Sequence, residues 1–363
     1  MQNSINRRKF IGMGLALAGG AQIFRNNLFS QDTHSNQIPG ESLVNPMEQV
    51  ASSHKDVIFP KKLKPNDIVA IVSPSSPTNN WEVTKTVNFL KSLNLKVEIG
   101  KNITKQTNNY RYLAASDKDR IEEFNYYINR EDISAIIASR GGYGSMRIIE
   151  DINFESITKY PKIFVGFSDF TYILNAISKI NNLATYYGPV GISSFTDYTK
   201  KYFIDALFEN QKETYIISKP DSIVINEGKA EGRLIGGNLT LCCATLGTPY
   251  EIMTDNCILM LEDINVEAYE IDRMLNHLKL AGKFKNLQGI VLGYFSNIKR
   301  RKPFYPNFSY TILEVFEQVL KPYNIPIIAN FPYGHISEQA TFPILAYSVV
   351  NTSNKSLTIN NSK

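Results

Sequence analysis

The stretch Ile68-Val69-Ala70-Ile71-Val72-Ser73-Pro74-Ser75-Ser76-Pro77 sets the fold class of this 363-residue chain. Its first five residues form a short β-branched run, which is typical of a buried strand, and the serines and prolines that follow indicate a loop. Further short strands alternate with helices downstream. The predicted strands are residues 95–99, 135–138, 163–165 and 183–186, and the predicted helices are residues 81–93, 117–128 and 170–180. This α/β alternation predicts a parallel sheet covered on both faces, with ligands bound at the carboxyl ends of its strands.

The second half of the chain has a different pattern. A polar stretch from about residue 193 to 220 interrupts the alternation and indicates a domain boundary. The segments beyond it are a glycine-containing run at 232–237, strands at 258–261, 289–292 and 325–329, and helices at 239–246, 266–280 and 310–319. This order predicts a mixed α/β domain. We therefore divide the folded part into an N-terminal domain (57–195), an interdomain segment (196–225) and a C-terminal domain (226–363).

The first residues have the layout of a twin-arginine export signal. Asn6-Arg7-Arg8-Lys9-Phe10-Ile11 precedes a weakly polar stretch that extends to residue 24. Residues 25–56, rich in Asn, Ser and Gln, are typical of a flexible linker. We expect export to the periplasm or cell envelope, with transient membrane contact through the signal segment, and a cytoplasmic location if the signal does not function. The pattern leaves cleaved and anchored forms open.

Charge and cysteine content exclude several function classes. The 39 Lys+Arg and 34 Asp+Glu residues leave a net charge of +5, which does not argue for a nucleic-acid partner over this length. The run Lys299-Arg300-Arg301-Lys302 is interpreted as a solvated loop. Cys242, Cys243 and Cys257 are too few for a disulfide scaffold and lack the paired spacing of a zinc site, so neither cysteine chemistry nor a metal is expected.

Ser168 is the candidate nucleophile. The segment Ile163-Phe164-Val165-Gly166-Phe167-Ser168-Asp169 predicts a strand that stops at a serine before a helix, as in a nucleophile elbow. The full G-x-S-x-G pattern is absent because Phe170 replaces the second glycine, and an ordinary helix N-cap is the alternative for Ser168. A serine hydroxyl also needs a base to act as a nucleophile.

Only one of the four histidines suits the role of the base that would activate Ser168. His34 and His54 lie in or at the end of the linker, and His277 falls within a predicted helix. His335 follows Phe331-Pro332-Tyr333-Gly334 in a loop beyond a predicted strand, where chemistry is more common than on a packed helix. The alternative for His335 is a buried hydrogen-bonding role.

A carboxylate is needed to orient such a histidine. Glu262 and Asp263 stand at the carboxyl end of a predicted strand, and alternation sends them to opposite faces. At most one of them is therefore expected to reach His335, and the pattern does not choose between them. Capping of the following helix is an alternative for Asp263.

A glycine-rich loop can supply backbone donors for an oxyanion. Ser139-Arg140-Gly141-Gly142-Tyr143-Gly144 follows a predicted strand and is predicted to open a helix. A phosphate cradle is disfavoured, because neither the Lys-Ser/Thr of a P-loop nor a complete G-x-G-x-x-G is present. A plain tight turn is the remaining alternative.

Seven motifs in order make the chain resemble the LD-carboxypeptidase family of serine peptidases. They are Val72-Ser73-Pro74-Ser75-Ser76-Pro77, Arg140-Gly141-Gly142-Tyr143-Gly144, Gly166-Phe167-Ser168-Asp169, Gly188-Pro189, Gly236-Gly237-Asn238-Leu239 with Gly247-Thr248, Leu261-Glu262-Asp263 with Tyr269-Glu270-Ile271-Asp272-Arg273, and Gly334-His335. The similarity extends over about residues 63–359. The resemblance implies a catalytic trio of Ser168, Glu262 and His335, and so selects Glu262 over Asp263.

The resemblance also implies an architecture and further site residues. It implies a flavodoxin-like N-terminal domain that carries the serine, a C-terminal swivelling domain that carries the other two, a homodimer, and no metal or organic cofactor. The oxyanion would be bound by the amide of Asp169 and one from the Gly141-Gly142 turn. Tyr143 and Asn238 would contact the substrate.

Two positions depart from the family pattern. Many relatives have His-Gly-Pro where this chain has Tyr187-Gly188-Pro189, and a glycine where this chain has Leu345. We expect neither change to touch the catalytic trio and both to reshape the pocket. The export signal is also unusual, because recycling enzymes of this family are usually cytoplasmic.

The resemblance implies a serine carboxypeptidase that hydrolyses the L,D-amide bond and releases terminal D-alanine from murein tetrapeptides. One alternative is a peptidase similar to microcin C immunity proteins, which cleave peptidyl or aminoacyl nucleotide analogues. Such relatives place a tryptophan between the domains to stack on the base, whereas the single tryptophan here is Trp81; Tyr198, Tyr202 or Phe203 could substitute. The other alternative, a non-catalytic cell-wall peptide binder, has no need of an intact trio.

Overall fold

The computed structural model describes residues 56–103, 112–298 and 309–362. The predicted signal segment, the linker up to residue 55 and the basic run at 299–302 lie outside the described residues. The described residues belong to one compact unit that spans His54–Lys363. Within them, no helix is both long and apolar enough to cross a lipid bilayer.

Strands and helices alternate along most of the described chain. The strands are β1 (Ile68–Val72), β2 (Lys96–Ile99), β3 (Ile133–Ala138), β4 (Ile163–Gly166), β5 (Tyr186–Tyr187), β6 (Thr214–Ser218), β7 (Ile223–Asn226), β8 (Lys229–Asn238), β9 (Cys257–Ile264), β10 (Gly289–Ser296), β11 (Ile327–Ala329), β12 (Phe342–Pro343), β13 (Tyr347–Asn351) and β14 (Ser356–Asn360). The helices are α1 (Asn80–Ser92), α2 (Asp117–Asn129), α3 (Phe154–Lys159), α4 (Thr171–Asn181), α5 (Asp197–Leu207), α6 (Leu239–Ala244), α7 (Ala268–Leu280) and α8 (Ile312–Val319).

The first sheet has six strands in the order β12-β5-β4-β3-β1-β2, and its five N-terminal strands pair in parallel. This confirms the predicted parallel sheet. The sixth strand, β12, comes from the C-terminal part of the chain and pairs antiparallel with β5. This edge strand was not predicted, because pairing between segments so far apart in sequence leaves no local pattern.

Local sequence explains why the helices that pack on the first sheet form. Ser116 caps α2 as predicted, because its side chain accepts a hydrogen bond from the backbone nitrogen of Asp119 at 3.0 Å. Helix α4 is buried almost throughout and packs against both β4 of the first sheet and β8 of the second. Its buried polar side chains are hydrogen-bonded: the Asn175 amide, for example, donates to the carbonyls of Thr171 and of Gly236 in β8.

The second sheet has eight strands in the order β6-β14-β13-β8-β9-β10-β11-β7. Its centre, β8 to β11, is parallel, and antiparallel strands flank it on both sides. This confirms the mixed sheet predicted for the second half. Helix α5 and strand β6 lie within the polar stretch at 193–220, and the domain boundaries stay predictions.

The loop that follows β3 differs from its prediction. Two short 3-10 turns, Ser145–Arg147 and Ile149–Asp151, follow the glycines in place of a helix. Gly144 has a φ of +136°, a conformation outside the right-handed helical region that a helix start would need. The glycine loop is therefore an irregular connection held by side chains, as described below.

Candidate active site

Ser168 stands at the carboxyl end of β4 with a φ of +61°. A non-glycine residue in this left-handed region is strained, and such strain is characteristic of a nucleophile elbow. The N-cap alternative for Ser168 is wrong, because Phe167 caps the 3-10 turn Ser168–Phe170 and Phe170 caps α4. A Cβ at Gly166 would lie 2.4 Å from Cδ1 of Phe170, so this close packing requires the glycine before the elbow.

Ser168, His335 and Glu262 form one chain of hydrogen bonds. His335 Nε2 lies 3.1 Å from Ser168 Oγ, and His335 Nδ1 lies 2.8 Å from Glu262 Oε2. An ionised carboxylate only accepts, so Nδ1–H donates to Glu262 and leaves Nε2 free to accept the serine proton. Phe167 packs against the imidazole with ring centroids 4.9 Å apart. This is the geometry expected if Ser168 is a nucleophile, His335 its base and Glu262 the carboxylate that orients the base.

Glu262 and Asp263 point to opposite sides of β9, as alternation predicts. The fully buried Glu262 faces His335, whereas Asp263 accepts hydrogen bonds from the backbone nitrogen of Thr240 at 2.9 Å and from its hydroxyl at 2.7 Å. Asp263 therefore holds the first turn of α6. The suggestion that it caps the following helix is wrong, because Glu267 occupies the N-cap of α7. Burial, reinforced by the neighbouring Glu262, raises the pKa of the Asp263 carboxyl.

Asn238 lies between the two carboxylates at the end of β8. Its amide nitrogen donates to Glu262 Oε1 at 3.2 Å and to Asp263 Oδ1 at 3.0 Å, and its oxygen accepts from the Leu241 nitrogen. The side chain is only 3% exposed. These contacts support Glu262, and a substrate contact by Asn238 stays a prediction.

The glycine loop lies directly against the elbow. A Cβ at Gly141 would lie 2.7 Å from Ser168 Cβ, 2.8 Å from Ser168 Oγ and 3.2 Å from the backbone nitrogen of Asp169. Gly142 has a φ of +107°, and a Cβ there would overlap Ser76 Oγ. Ser76 Oγ also accepts from the Tyr143 nitrogen at 3.1 Å. The loop thus brings bare backbone to the nucleophile, as an oxyanion site requires.

Two buried charged side chains fix this loop, and neither role was anticipated from the sequence. The Asp169 carboxylate accepts from Ser75 Oγ at 2.5 Å and from the Ser145 nitrogen at 2.8 Å. The Arg120 guanidinium donates to the carbonyls of Pro74 and Gly144. The loops after β1 and β3 are therefore tied to the elbow and to each other.

The two departures from the family pattern have structural consequences. The hydroxyl of Tyr187 donates to Glu262 Oε1 at 2.6 Å, so the expectation that this position does not touch the catalytic trio is wrong. Leu345 has a φ of +72°, in the region that favours glycine. Within the described residues, no group of His, Cys, Asp and Glu side chains is placed to hold a metal ion.

We expect Gly141→Ala to lower kcat by about 100-fold, because an added methyl would collide with Ser168 and move the loop by a fraction of an ångström or more. Steady-state kinetics and a thermal melt would measure activity and folding. Gly282→Ala is the matched control, since a Cβ there meets nothing within 4 Å although φ is +77°. It should lower stability slightly and leave kcat unchanged. Full activity of Gly141→Ala would contradict the proximity of this loop to the nucleophile.

Comparison with known proteins gives a consistent family assignment. Residues 69–188 match the model of the LD-carboxypeptidase N-terminal domain, and residues 231–349 match that of the LD-carboxypeptidase C-terminal domain. A probable murein peptide carboxypeptidase of Bacillus subtilis is 35% identical over 308 residues, which cover 83% of this chain and 93% of that protein. The microcin C7 self-immunity protein MccF of Escherichia coli is 29% identical over 332 residues, covering 81% of this chain and 93% of that protein.

Solved structures support the same family assignment. Wild-type MccF in its apo state superposes with a TM-score of 0.76 at 25% identity and covers 84% of this chain and 98% of its own. The muramoyltetrapeptide carboxypeptidase of Oxalobacter formigenes gives a TM-score of 0.70 at 26% identity, with 80% and 97% covered. Both halves of the molecule match in the same order. The chain belongs to the LD-carboxypeptidase family of serine peptidases.

Proposed function

We propose that this enzyme hydrolyses the amide bond between an L-configured centre and a terminal D-alanine in murein tetrapeptides. The observation that carries the proposal is the hydrogen-bonded chain from Ser168 Oγ through His335 to Glu262, beside a loop of bare backbone at Gly141. The names of the Bacillus subtilis relative and the Oxalobacter formigenes structure support murein peptides as the substrate class.

The proposed first half-reaction forms an acyl-enzyme. His335 Nε2 takes the proton of Ser168 Oγ as Oγ attacks the carbonyl carbon of the scissile amide. The oxyanion that develops is stabilised by the amide of Asp169 and one from the Gly141-Gly142 turn. The carbon–nitrogen bond then breaks, and His335 gives its proton to the departing amine of D-alanine.

The second half-reaction restores the enzyme. Water attacks the ester carbonyl while His335 Nε2 accepts a proton from it. The bond to Ser168 Oγ breaks, the proton returns to Oγ, and the shortened peptide leaves with a new carboxylate. Glu262 keeps the imidazole oriented and stabilises its charged form in both halves.

A defined tetrapeptide muropeptide tests the reaction. After incubation with the full-length chain, mass spectrometry should show the loss of one D-alanine, because the terminal L,D-amide is the bond that the mechanism breaks. The matching tripeptide, which lacks that residue, should keep its mass. If no tetrapeptide is shortened by the folded protein, murein tetrapeptides are not the substrate.

The second candidate is cleavage of aminoacyl nucleotide analogues, which the similarity to the microcin C7 self-immunity protein supports. Two of the three aromatic side chains offered for base stacking do not favour it, whereas the third, Tyr198, is half-buried on α5. Tyr202 is 7% exposed, and Phe203 is fully buried against Phe89 and Phe195. Trp81 lies on α1 and is 73% exposed. An aminoacyl sulfamoyl nucleoside belongs in the same assay as a competing substrate.

Export and dimer formation complete the proposal. Arg7 and Arg8, followed by a weakly polar stretch, support export to the periplasm or envelope with transient membrane contact through residues 1–24. The family resemblance supports a homodimer. An exported enzyme would meet murein peptides outside the cytoplasm.

A further inference from the structure

Glu262 has two carboxylate oxygens, and only one of them serves His335. The other, Oε1, accepts a hydrogen bond of 2.6 Å from the hydroxyl of Tyr187. Tyr187 is 1% exposed and Glu262 is fully buried, so water does not substitute for this donor. The bond also joins the two sheets, because Tyr187 lies on β5 and Glu262 on β9.

Tyr187 is the stronger of the two side-chain donors to Oε1. The second donor, the Asn238 amide, is more distant at 3.2 Å and also donates to Asp263. Burial and the nearby Glu262 carboxylate raise the pKa of the Tyr187 phenol well above its usual value. The phenol therefore stays protonated and acts as a donor at every pH at which the enzyme would work.

The ring of Tyr187 is fixed from two sides. It packs edge-on against Phe167 of the elbow, with ring centroids 6.2 Å apart, and against Tyr333, with centroids 5.9 Å apart. Tyr333 does not compete for Glu262, because its own hydroxyl contacts the carbonyls of Leu261 and Val291. Tyr187 is thus a rigid donor aimed at one oxygen.

We propose that Tyr187 is a positioning residue that holds Glu262 Oε1, so that Oε2 stays directed at Nδ1 of His335. A buried carboxylate that loses a donor at one oxygen rotates or takes up a proton, and either change weakens its hold on the imidazole. The catalytic effect in this proposal rests on the proposed peptidase function, whereas the geometry of the Glu262–His335 pair does not.

The neighbouring tyrosine on the same strand offers a matched control. Tyr186 is also fully buried, and its hydroxyl has no hydrogen-bond partner among the described residues. Tyr186→Phe and Tyr187→Phe therefore remove the same atom from adjacent positions. Only the second removes the contact with Glu262, together with a hydrogen bond from the backbone nitrogen of Ser168 to the phenol oxygen, and the His335 resonance described below reports on the Glu262 contact. Loss of the volume of one buried hydroxyl affects both variants, whereas loss of the hydrogen bond to Glu262 affects one.

With the muropeptide substrate, Tyr187→Phe should lower kcat by about 10- to 100-fold and leave KM within about twofold, as expected for losing a hydrogen bond to a charged group. Tyr186→Phe should leave both constants near those of the parent. Tyr187→His, which restores the residue of many relatives and keeps a donor, should recover part of the lost kcat. Equal kinetics of the two phenylalanine variants would overturn the proposal.

A second measurement works without any substrate. The proton expected on His335 Nδ1, 2.8 Å from Glu262 Oε2, should give a far-downfield resonance in proton NMR spectra. Tyr187→Phe should shift or broaden this resonance, and Tyr186→Phe should leave it in place. If the parent cleaves no murein peptide, the proposed function fails while this comparison still decides the role of Tyr187. An unmoved resonance in a folded Tyr187→Phe protein would overturn that role. If Tyr187→Phe does not fold, the kcat and the His335 proton resonance of Tyr187→His are measured in its place.

Discussion

Ser168→Ala should abolish D-alanine release, with kcat lower by about 10⁵-fold or more, because no other hydroxyl can form the acyl-enzyme. The residual rate would come from the oxyanion donors and substrate binding. Ser168 Oγ has one described polar partner in the site, Nε2 of His335, so the substitution removes the nucleophile without leaving a deeply buried group unpaired. Progress curves with the tetrapeptide, followed by mass spectrometry, measure the effect.

The control for this substitution lies ten residues downstream in α4. Ser178→Ala removes a buried hydroxyl that contacts the Leu183 carbonyl and Thr185 at 3.0 Å, away from the reacting groups. It should lower the free energy of unfolding by about 1 kcal/mol and leave kcat unchanged. A Ser168→Ala protein that folds and retains parental activity would refute the acyl-enzyme mechanism.

Most of the central architecture could be predicted because its signals are local. The run Ile68–Val72 is observed as a strand with its predicted bounds, and β4 ends at Gly166, two residues before Ser168 and one residue beyond its predicted end. Buried parallel strands give continuous apolar runs, and the helices between them carry caps such as Ser116. These features depend on a few adjacent residues, so the sequence carries them directly.

The choice between Glu262 and Asp263 illustrates what local patterns leave open. Alternation along β9 separates the two side chains but does not say which face meets His335. That face is set by the pairing of β9 with its parallel neighbours β8 and β10, which places Asn238 opposite Glu262 and brings the loop after β11 to the same edge. The family resemblance identified Glu262, and the hydrogen bond to His335 agrees with it.

Tyr187 and β12 were missed for the same physical reason. Tyr187 meets Glu262 only because β5 of the first sheet lies against the second sheet, and β12 joins the first sheet across about 150 residues of sequence. Neither contact produces a periodicity or a motif. The one sequence feature that could have pointed to Tyr187 was its departure from the histidine of many relatives. Position 187 lies at the end of a strand beside the elbow, so a different side chain there can change what the site residues contact.

Glu262→Gln should lower kcat by about 10⁴-fold while the protein stays folded, because the change preserves shape and removes the charge that stabilises protonated His335. Glutamine also places an amide where three hydrogen-bond donors now converge. Its nitrogen would face either Nδ1 of His335 or the donors Tyr187 and Asn238, and each orientation breaks contacts that the carboxylate makes. The imidazole is then free to adopt the tautomer that cannot accept the serine proton at Nε2.

The matched control is Glu123→Gln, the same change at a carboxylate on α2 that is 4% exposed and accepts from the Asn102 nitrogen. Burial raises the pKa of the Glu123 carboxyl, and its hydrogen bond to Asn102 lies outside the chain of Ser168, His335 and Glu262, so a neutral amide there does not alter that chain. Its kcat should stay within a few-fold of the parent value. Single-turnover kinetics on both variants separate acylation from binding, and a Glu262→Gln enzyme with acylation as fast as that of Glu123→Gln would show that the carboxylate has no part in activating Ser168.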